Sequence, residues 1–541
     1  MNLKISLVLS CFCGLMHAQS LLKITADSSN PIQFLEITSS SSFGSLGSVP
    51  ASKIYAVNVL NTQKNLTEAL ILNFQNAGDL KSGHLIGQKS GSIQIKKIVA
   101  TGADEVFFIG TYLVQGSGNY LIMGLFNFKI NALKYVKIIS DLIEPNRTLN
   151  PVDVINIRGI YYLLLETEIN YLGTQNNKIV LLAFDGSQIL WSKIYNSLAP
   201  IHAEAPASLA LGPNDDLLIS GTIRPVGDNF FRMMLAEVST EGEPVALKMV
   251  ELFSADGLYN HRFGFTSIEP KGANIFMFSQ SVVGRSEPGT LLISWFDATL
   301  TLRTWRNYTA PIRAEAINTD GFYFYVGGQA PVENGYQGYS LMKINSSNAI
   351  IEKYKYFKES LQNSSIATSS SINYDRGDDK TWTLIKPNGS LENYLVLLEN
   401  SGLMDHDCSE DLSYTVAKDP MKITDVVFNS KALDLQLADL DCSLNDIELF
   451  QIDKCRVTSV SNQSKDQAII YPNPANGKIN LTTKEDMELI QLLDLNGKIL
   501  SEFKASKAHE SLTMQLESGI YYVKIVLASK KTFVNKLVIV N

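Results

Sequence analysis

Acidic residues near the ends of apolar segments are the first candidates for chemistry in this sequence. Glu166 and Glu168 lie at the end of one apolar segment, and Asp215 and Asp216 precede another. Two facing carboxylates can share acid–base work in glycoside hydrolysis, and clustered carboxylates can bind calcium. No D-x-D-x-D-G loop accompanies these pairs. We therefore interpret them as solvated turn residues.

The histidines and the known catalytic motifs give no stronger case for an enzyme. His84, His202 and His261 are widely spaced, and each is more typical of a surface or turn position than of a proton relay. The sequence contains no G-x-S-x-G, H-E-x-x-H or P-loop motif. Segments 184–186 and 296–299 are only weakly similar to the Asp box motif of sialidases, and we interpret both as turns. We predict no catalytic residue, no metal ligand and no cofactor.

Aromatic residues cluster in three segments, 303–308, 334–340 and 351–357. Aromatic rings stack on sugars and anchor protein interfaces, so these segments are candidates for ligand contact. Tyr and Trp are also natural strand residues. We favour strand packing as their role.

Composition limits the class of protein. The chain has 541 residues, a length that predicts more than one domain. Of these residues 45% are hydrophobic and 18% charged, a composition typical of globular domains. The formal net charge of −8 disfavours a nucleic acid as partner.

The first 18 residues are typical of a secretory signal peptide. Lys4 provides the positive charge, residues 5–15 are apolar, and Ala18 offers a small residue for cleavage. An alternative interpretation treats Cys11 as a lipoprotein cysteine, although the apolar run before it is very short. No later segment is long and apolar enough to be a transmembrane helix.

A repeated pattern of strand, polar turn and strand runs through the centre of the chain. The first strand of each pattern ends 48 to 58 residues after the previous one, and each repeat has room for about four strands. The residues that end these strands are Phe74, Phe128, Phe184, Val238, Phe296, Ile344 and Leu398. Seven units of four strands predict an all-β fold with a seven-bladed β-propeller over residues 30–405. Another all-β repeat, such as tandem sandwiches or a six-bladed ring, is the alternative.

Residues 406–466 differ from the repeats in being more polar. Two strands are predicted there, around 423–428 and 432–437. The segment holds the three cysteines that remain after signal removal: Cys408, Cys442 and Cys455. We predict a small linker module tied by one disulfide. The entropy of loop closure favours pairing of Cys408 with either Cys442 or Cys455, and the choice between them stays open.

Residues 468–541 predict a small Ig-like β-sandwich. Each proline of Tyr471-Pro472-Asn473-Pro474 fixes its own backbone and extends the residue before it, which makes this segment a rigid turn. Asn496-Gly497 provides the positive φ angles of a tight hairpin after Asp494. A second hairpin of alternating apolar residues ends the chain.

This C-terminal segment resembles the type A sorting domain of the type IX (Por) secretion system of Bacteroidetes. The resemblance rests on four motifs in order: Tyr471-Pro472-Asn473-Pro474 with Gly477, then Leu493 to Lys498, then Gly519-Ile520-Tyr521-Tyr522-Val523, and last Lys536 to Val540. It implies that the type IX machinery is a partner and that the chain is exported through the outer membrane. In the family the domain is usually cut off, and the passenger is released or held at the cell surface.

Two functions for the central region follow from these patterns. The first is a non-enzymatic propeller scaffold that binds a glycan or protein at the cell surface. The second is a secreted hydrolase or lyase that acts on polysaccharide. Two carboxylates meeting near the central channel would favour the second function, and a binding patch without such groups would favour the first.

Overall fold

Antiparallel β-strands form the structure, and the described residues contain no helix. The computed structural model describes most of residues 21–453 and 469–539. It leaves out residues 1–20, 454–468, 540–541 and short internal segments, of which the longest are 40–52, 253–262, 282–289, 358–365 and 400–408. The chain divides into a larger unit, Met1–Arg456, and a smaller unit, Val457–Asn541. The prediction of an all-β fold is confirmed.

The predicted signal peptide over residues 1–18 lies outside the described residues. Elsewhere, the described part of the chain has no helix with the length and apolar character needed to cross a bilayer.

The larger unit contains seven five-stranded sheets, which we number 1 to 7 in chain order. In sheets 1 to 6 four consecutive strands pair in sequence order. The N-terminal strand β1 (Leu21–Ala26) belongs to sheet 7. Sheet 1 contains β2 (Ile32–Ser39), β3 (Lys53–Asn61), β4 (Leu66–Phe74) and β5 (Leu80–Gly87); sheet 2 contains β6 (Gly91–Gly102), β7 (Glu105–Val114), β8 (Gly118–Asn127) and β9 (Ala132–Asp141). Sheet 3 contains β10 (Leu149–Ile157), β11 (Ile160–Tyr171), β12 (Thr174–Phe184) and β13 (Ile189–Ser197).

The remaining sheets follow the same plan. Sheet 4 contains β14 (Ala203–Leu211), β15 (Leu217–Arg224), β16 (Arg232–Val238) and β17 (Pro244–Leu252); sheet 5 contains β18 (Phe263–Lys271), β19 (Asn274–Ser281), β20 (Thr290–Asp297) and β21 (Leu302–Thr309). Sheet 6 contains β22 (Arg313–Thr319), β23 (Tyr323–Val332), β24 (Gly335–Asn345) and β25 (Ile351–Phe357); sheet 7 contains β26 (Ile366–Asp375), β27 (Lys380–Pro387) and β28 (Asn393–Glu399), followed by β1.

In sheets 1 to 6 the middle strands are buried on both faces wherever their side chains are described. Residues 179–184 of β12 are all buried, and alternate members of this run belong to two different apolar cores. One core lies between sheets 2 and 3, and the other lies between sheets 3 and 4. Continuous apolar runs are what a sheet packed on both faces requires.

The first strands of the seven sheets are neighbours in a complete cycle. Each first strand contacts the first strand of the next sheet, and β26 of sheet 7 contacts β2 of sheet 1. A shift of register interrupts every one of these strands where it pairs with its second strand. Such bulges bend a strand and turn its side chains, so the first strands of all seven sheets bend where they pair with their second strands.

A second bulge marks the end of the third strand in sheets 1 to 6. It falls at Phe74, Phe126, Phe184, Val238, Phe296 and Ile344. Five of these match the repeat predicted from sequence. The sixth corrects it, because the equivalent residue is Phe126, which is fully buried, and not Phe128. Phe128 follows the bulge by two residues and is only partly buried against the neighbouring core.

The segment after the repeats runs back around the sheets in reverse order and adds one outer strand to each. We call residues 409–453 the belt. Its strands and their partners are β29 (Ser409–Asp411) on β25, β30 (Thr415–Ala417) on β21, β31 (Met421–Asp425) on β17, β32 (Phe428–Ala432) on β13, β33 (Leu435–Asp439) on β9, β34 (Ser443–Asp446) on β5 and β35 (Leu449–Asp453) on β1. All seven pairings are antiparallel. The strands predicted around 423–428 and 432–437 therefore belong to the sheets of the larger unit.

Short connections of the belt recur every seven residues where it crosses from one sheet to the next. The N–H groups of Val426, Leu433 and Leu440 each donate to a carbonyl of a fourth strand at 2.9 Å. Those carbonyls belong to Leu247, Ser192 and Val136. The apolar belt side chains enter the cores between sheets; Phe428, for example, stacks on Tyr195 at 5.3 Å between ring centroids. Belt side chains therefore pack into the cores between neighbouring sheets from sheet 1 to sheet 6.

Both ends of the larger unit meet in sheet 7. The N-terminal strand β1 pairs with β28 on one side and with β35 on the other, so that Leu22 lies opposite both Leu395 and Asp453. The last strand of the belt therefore covers the strand that completes the seventh sheet.

Cys442 is a free thiol, and it packs with the apolar residues between sheets 1 and 2. Burial raises the pKa of this thiol to about 12, so the side chain behaves as a small apolar group. The pairing of Cys408 with Cys442 is therefore not present. Cys408 and Cys455 lie outside the described residues.

The smaller unit has two sheets that share one apolar core. The three-stranded sheet contains β36 (Ile469–Tyr471), β37 (Lys478–Thr482) and β40 (His509–Thr513); the four-stranded sheet contains β39 (Ile499–Lys504), β38 (Met487–Leu493), β41 (Gly519–Leu527) and β42 (Thr532–Ile539), in that spatial order. Ile479 and Leu481 of the first sheet pack with Ile490, Val523 and Leu537 of the second. All five are at most 1% exposed.

Two adjacent belt residues test whether the belt stabilises the larger unit. Phe428 is 8% exposed, and Val427 is 57% exposed. Phe428→Ala should lower the free energy of unfolding by about 2 to 4 kcal/mol because it leaves a cavity between sheets 3 and 4. Val427→Ala should change it by less than about 0.5 kcal/mol.

Tryptophan fluorescence in a denaturant titration measures this difference. All four tryptophans lie in the larger unit, so the signal is insensitive to unfolding of the smaller one. Equal midpoints for the two variants would contradict a stabilising role for the belt.

Candidate functional site

In the smaller unit, the opening turn is tied to the last strand. The N–H of Ala475, directly after Tyr471-Pro472-Asn473-Pro474, donates to the carbonyl of Val538 at 2.8 Å. Ala475 also forms an isolated parallel bridge with Ile539 and is 2% exposed. The first and last motifs of the segment therefore meet at the edge of β42.

The central hairpin of this unit closes through Asp494. Its N–H donates to the carbonyl of Lys498 at 3.0 Å, and its carboxylate accepts the N–H of Lys498 at 2.9 Å. In the late motif, Gly519 and Tyr521 lie on β41, and the Tyr521 hydroxyl donates to the carbonyl of Glu517 at 3.0 Å. These residues shape turns and strand ends, which is why the motif positions need those residue types.

The other predicted motif residues are only partly covered. Tyr471 ends β36, and its side chain is outside the description. Pro472, Asn473, Pro474, Gly477, Asn496 and Gly497 lie outside the described residues. Their roles remain predictions.

In the larger unit, an inner-strand cluster is formed by Lys97, Asp153 and Glu269, which lie on the first strands of sheets 2, 3 and 5. Lys97 Nζ is 3.9 Å from Asp153 Oδ1. The two carboxylates interact, although their sheets are not adjacent in the chain. The cycle of first strands brings these residues together.

The two carboxylates have different surroundings. Asp153 is 7% exposed, and its oxygens accept the N–H groups of Val154 and Leu209, each at 2.9 Å. Burial raises the pKa of Asp153, while Lys97 and the two N–H donors oppose that rise. Glu269 is partly exposed to solvent. Burial, with a smaller effect of the Asp153 charge, raises the pKa of Glu269 to about 8.

A raised carboxyl pKa beside a second carboxylate is the pattern of an acid–base pair. Both Asp153 oxygens, however, are bound to backbone donors of sheets 3 and 4, which gives Asp153 a role in joining these sheets. Lys178 and Glu204 join the same two sheets through a buried ion pair of 2.8 Å. Sequence reasoning missed the inner-strand cluster because 116 residues separate its two carboxylates.

The described acidic and histidine residues that the sequence singled out lie in different sheets: His84 in sheet 1, Glu166 in sheet 3, and Asp215 and Asp216 in a turn of sheet 4. His84 is 6% exposed and packs against Phe126 at 5.1 Å between ring centroids. Glu166 accepts a hydrogen bond from Asn177 at 2.5 Å. Asp215 has a φ of 63° in a tight turn, and burial raises the pKa of the adjacent Asp216. His202, His261 and the side chain of Glu168 lie outside the description.

The two segments weakly similar to the Asp box, 184–186 and 296–299, are turns. Asp185 accepts the N–H groups of Ser187 and Gln188, and Asp297 accepts those of Thr299 and Thr301. Hydrogen bonds to these carboxylates lower the pKa of each to about 2. The interpretation of these segments as turns is confirmed.

The aromatic segment 303–308 serves strand packing. Tyr308 is 1% exposed and its hydroxyl donates to the carbonyl of Ala349, while Trp305 packs against the core between sheets 4 and 5. Within the described ranges, no group of three or more His, Cys, Asp or Glu residues is arranged to hold a metal ion.

Comparison with known proteins identifies the smaller unit. Residues 469–540 match the family described as "Secretion system C-terminal sorting domain". This match spans all seven strands of the smaller unit and agrees with the type IX resemblance found in the sequence. No curated protein matches the chain.

The raised pKa of Glu269 gives a pH-dependent prediction. Its folded pKa of about 8 exceeds the ordinary value of 4.5, so the unfolded chain releases this proton first. The stability associated with Glu269 is therefore complete below pH 4.5 and is lost as the pH rises towards 8. Glu269→Gln removes that loss. We expect the variant to gain about 1 to 3 kcal/mol over the parent between pH 5 and pH 8.5, after allowance for screening by solvent.

The check is tryptophan-monitored unfolding at both pH values, with the exposed Glu352→Gln as control. The control should track the parent at both pH values. A Glu269→Gln effect of equal size at pH 5 and pH 8.5 would show that the carboxyl group titrates normally in the folded state.

Proposed function

Because residues 469–540 are a type IX secretion C-terminal sorting domain, the chain is exported, and we propose that its cargo is a seven-bladed β-propeller. On this proposal the propeller is a non-enzymatic scaffold that binds a glycan or protein at the cell surface. The observation that carries the proposal is the complete cycle of first strands across seven sheets.

Three further features support the propeller. Each sheet runs outward from its first strand to its fourth, as the blades of a propeller do. The described side chains of the middle strands in sheets 1 to 6 are buried on both faces, which stacked blades require. The N-terminal strand completes the last sheet, which closes a ring by joining its two ends.

Export fits the division of the chain. On this proposal residues 1–18 are a signal peptide that directs the chain across the inner membrane. The belt ends at Asp453 and the first strand of the sorting domain begins at Ile469. Removal of the sorting domain by cleavage in the intervening segment would leave all seven sheets complete.

One end of the sheets is the better candidate for ligand binding. Connections between second and third strands, and between fourth strands and the next sheet, leave the same end. Three of the five longest connections between Leu21 and Asp453 are of this kind: 253–262, 282–289 and 358–365. Long connections on a rigid scaffold are where binding residues concentrate.

A polysaccharide hydrolase is the second candidate, and the interaction of Asp153 with Glu269 is the observation that favours it. Glycosidases need one protonated and one ionised carboxyl group. Asp153 is poorly suited to attack a substrate, since it is 7% exposed and both of its oxygens accept backbone N–H groups. The scaffold therefore has better support.

Purified mature chain separates the two functions. On a glycan array and a panel of soluble polysaccharides, the scaffold is expected to bind at least one ligand saturably without releasing reducing ends. Glu269→Gln should leave this binding within about twofold of the parent, because Glu269 lies away from the long connections. Release of reducing ends that Glu269→Gln abolishes would replace the scaffold with the hydrolase.

A further inference from the structure

The two units differ in whether the edges of their sheets are paired with another strand. In the larger unit a belt strand covers the outer edge of every sheet. In the smaller unit β42 ends its sheet: among the described residues β41 is its one partner strand, and Ala475 pairs with its last residues, Val538 and Ile539, on the outer side. An uncovered edge strand offers N–H and C=O groups to another chain, and proteins usually protect such edges.

The orientation of β42 follows from one hydrogen bond. The carbonyl of Val538 accepts the N–H of Ala475, which lies on the side away from β41. Backbone groups alternate in direction along an antiparallel strand, so Thr532, Val534 and Lys536 also direct their N–H and C=O groups to the outer side. Phe533, Asn535 and Leu537 direct theirs to β41.

The outer face of this part of the sheet combines apolar and basic side chains. Leu537 and Ile539 face the core, so Val534 and Val538 face outward, opposite Lys524 and Ile520. Val534 is 51% exposed, and Ile520, opposite Val538, is 39% exposed. The outer face of an antiparallel sheet is ordinarily polar.

β42 is the longest of the four edge strands of this unit. It has eight residues, against six in β39, five in β40 and three in β36. Lys536 is its one charged residue, whereas β39 carries Glu502 and Lys504 beside the exposed Ile499. Charged side chains and shortness both discourage pairing of an edge with another strand, so the short β40, which carries Glu510, is the better protected edge. These differences make β42 the best suited of the four edges.

We propose that the type IX machinery docks on this domain by adding an extended strand of its own to the open edge of β42. The sorting domain implies that machinery as the partner. Main-chain hydrogen bonds to Thr532, Val534 and Lys536 provide affinity, and an apolar side chain of the added strand contacts the exposed Val534. The proposal concerns export alone and is independent of what the propeller binds.

Proline at position 534 tests this docking mode. Val534→Pro removes one outward N–H and leaves the bonds to β41 in place, which an edge strand tolerates. Val534→Thr keeps the N–H and the shape of the side chain, so it is the matched control. In a host with a type IX system, we expect Val534→Pro to lower the exported fraction at least tenfold and Val534→Thr to stay within twofold of the parent.

Hydrogen exchange of the purified variants shows whether the β41–β42 ladder survives. Export of Val534→Pro within twofold of the parent, with the ladder protected, would overturn the proposal. If the β41–β42 ladder of Val534→Pro loses its protection from exchange, Lys536→Pro replaces it, because the N–H of Lys536 also points away from β41. Export of Lys536→Pro within twofold of the parent, with the ladder protected, would likewise overturn the proposal.

Cross-linking in the otherwise unaltered chain gives a second test. A photoreactive residue in place of Thr532 should link the chain to an outer-membrane component of the secretion system, and one in place of Ser511 on the protected edge should not. Linkage from 511 alone, or linkage of position 532 to a second copy of this chain, would overturn the proposal. Deletion of residues 469–541 should block export whichever docking mode holds, so the two claims fail separately.

Discussion

The unpaired edges of β-sheets are the constraint on which this structure depends. A sheet with four strands leaves an outer edge with unsatisfied backbone groups, and seven such sheets leave seven edges. The belt pairs with all of them by a single passage of the chain in reverse order. Its N–H groups at Val426, Leu433 and Leu440 fix the crossings between sheets, and Phe428 fills the space between two of them.

Pairing of the belt also joins the two ends of the larger unit. The strand β1 is the first described strand of the chain, and β35 is the last described strand before the smaller unit. Their pairing places the last strand of the larger unit beside its first strand. The larger unit is therefore complete only when residues up to Asp453 have folded, and the sorting domain follows as a separate body.

The repeats could be predicted from the sequence because their strands are long, apolar and followed by polar turns. Asp185 and Asp297 marked two of those turns, and their hydrogen bonds agree with that role. Phe128 was assigned in place of Phe126 because both are aromatic and only the bulge distinguishes them. The sorting motifs could be recognised because tight turns require particular residues, as at Asp494.

The belt and the inner-strand cluster could not be predicted in the same way. Belt strands have only three to five residues, too few to show a period, and their partners lie far away in sequence. The seven-residue recurrence of Val426, Leu433 and Leu440 was the available signal. Asp153 and Glu269 resemble ordinary strand residues in the sequence, and only the cycle of first strands brings them close enough for their charges to interact. In each case long-range pairing decides the role of the residue.

The measurement that tests this account most directly compares two shortened chains by tryptophan fluorescence in denaturant. One ends at Arg456 and keeps the belt, and the other ends at Cys408 and lacks it. We expect the chain ending at Arg456 to unfold at the midpoint of the full chain. We expect the chain ending at Cys408 to unfold at a much lower midpoint or to fail to fold, since seven edges and the cores beneath them are uncovered. Equal midpoints for the two shortened chains would contradict it.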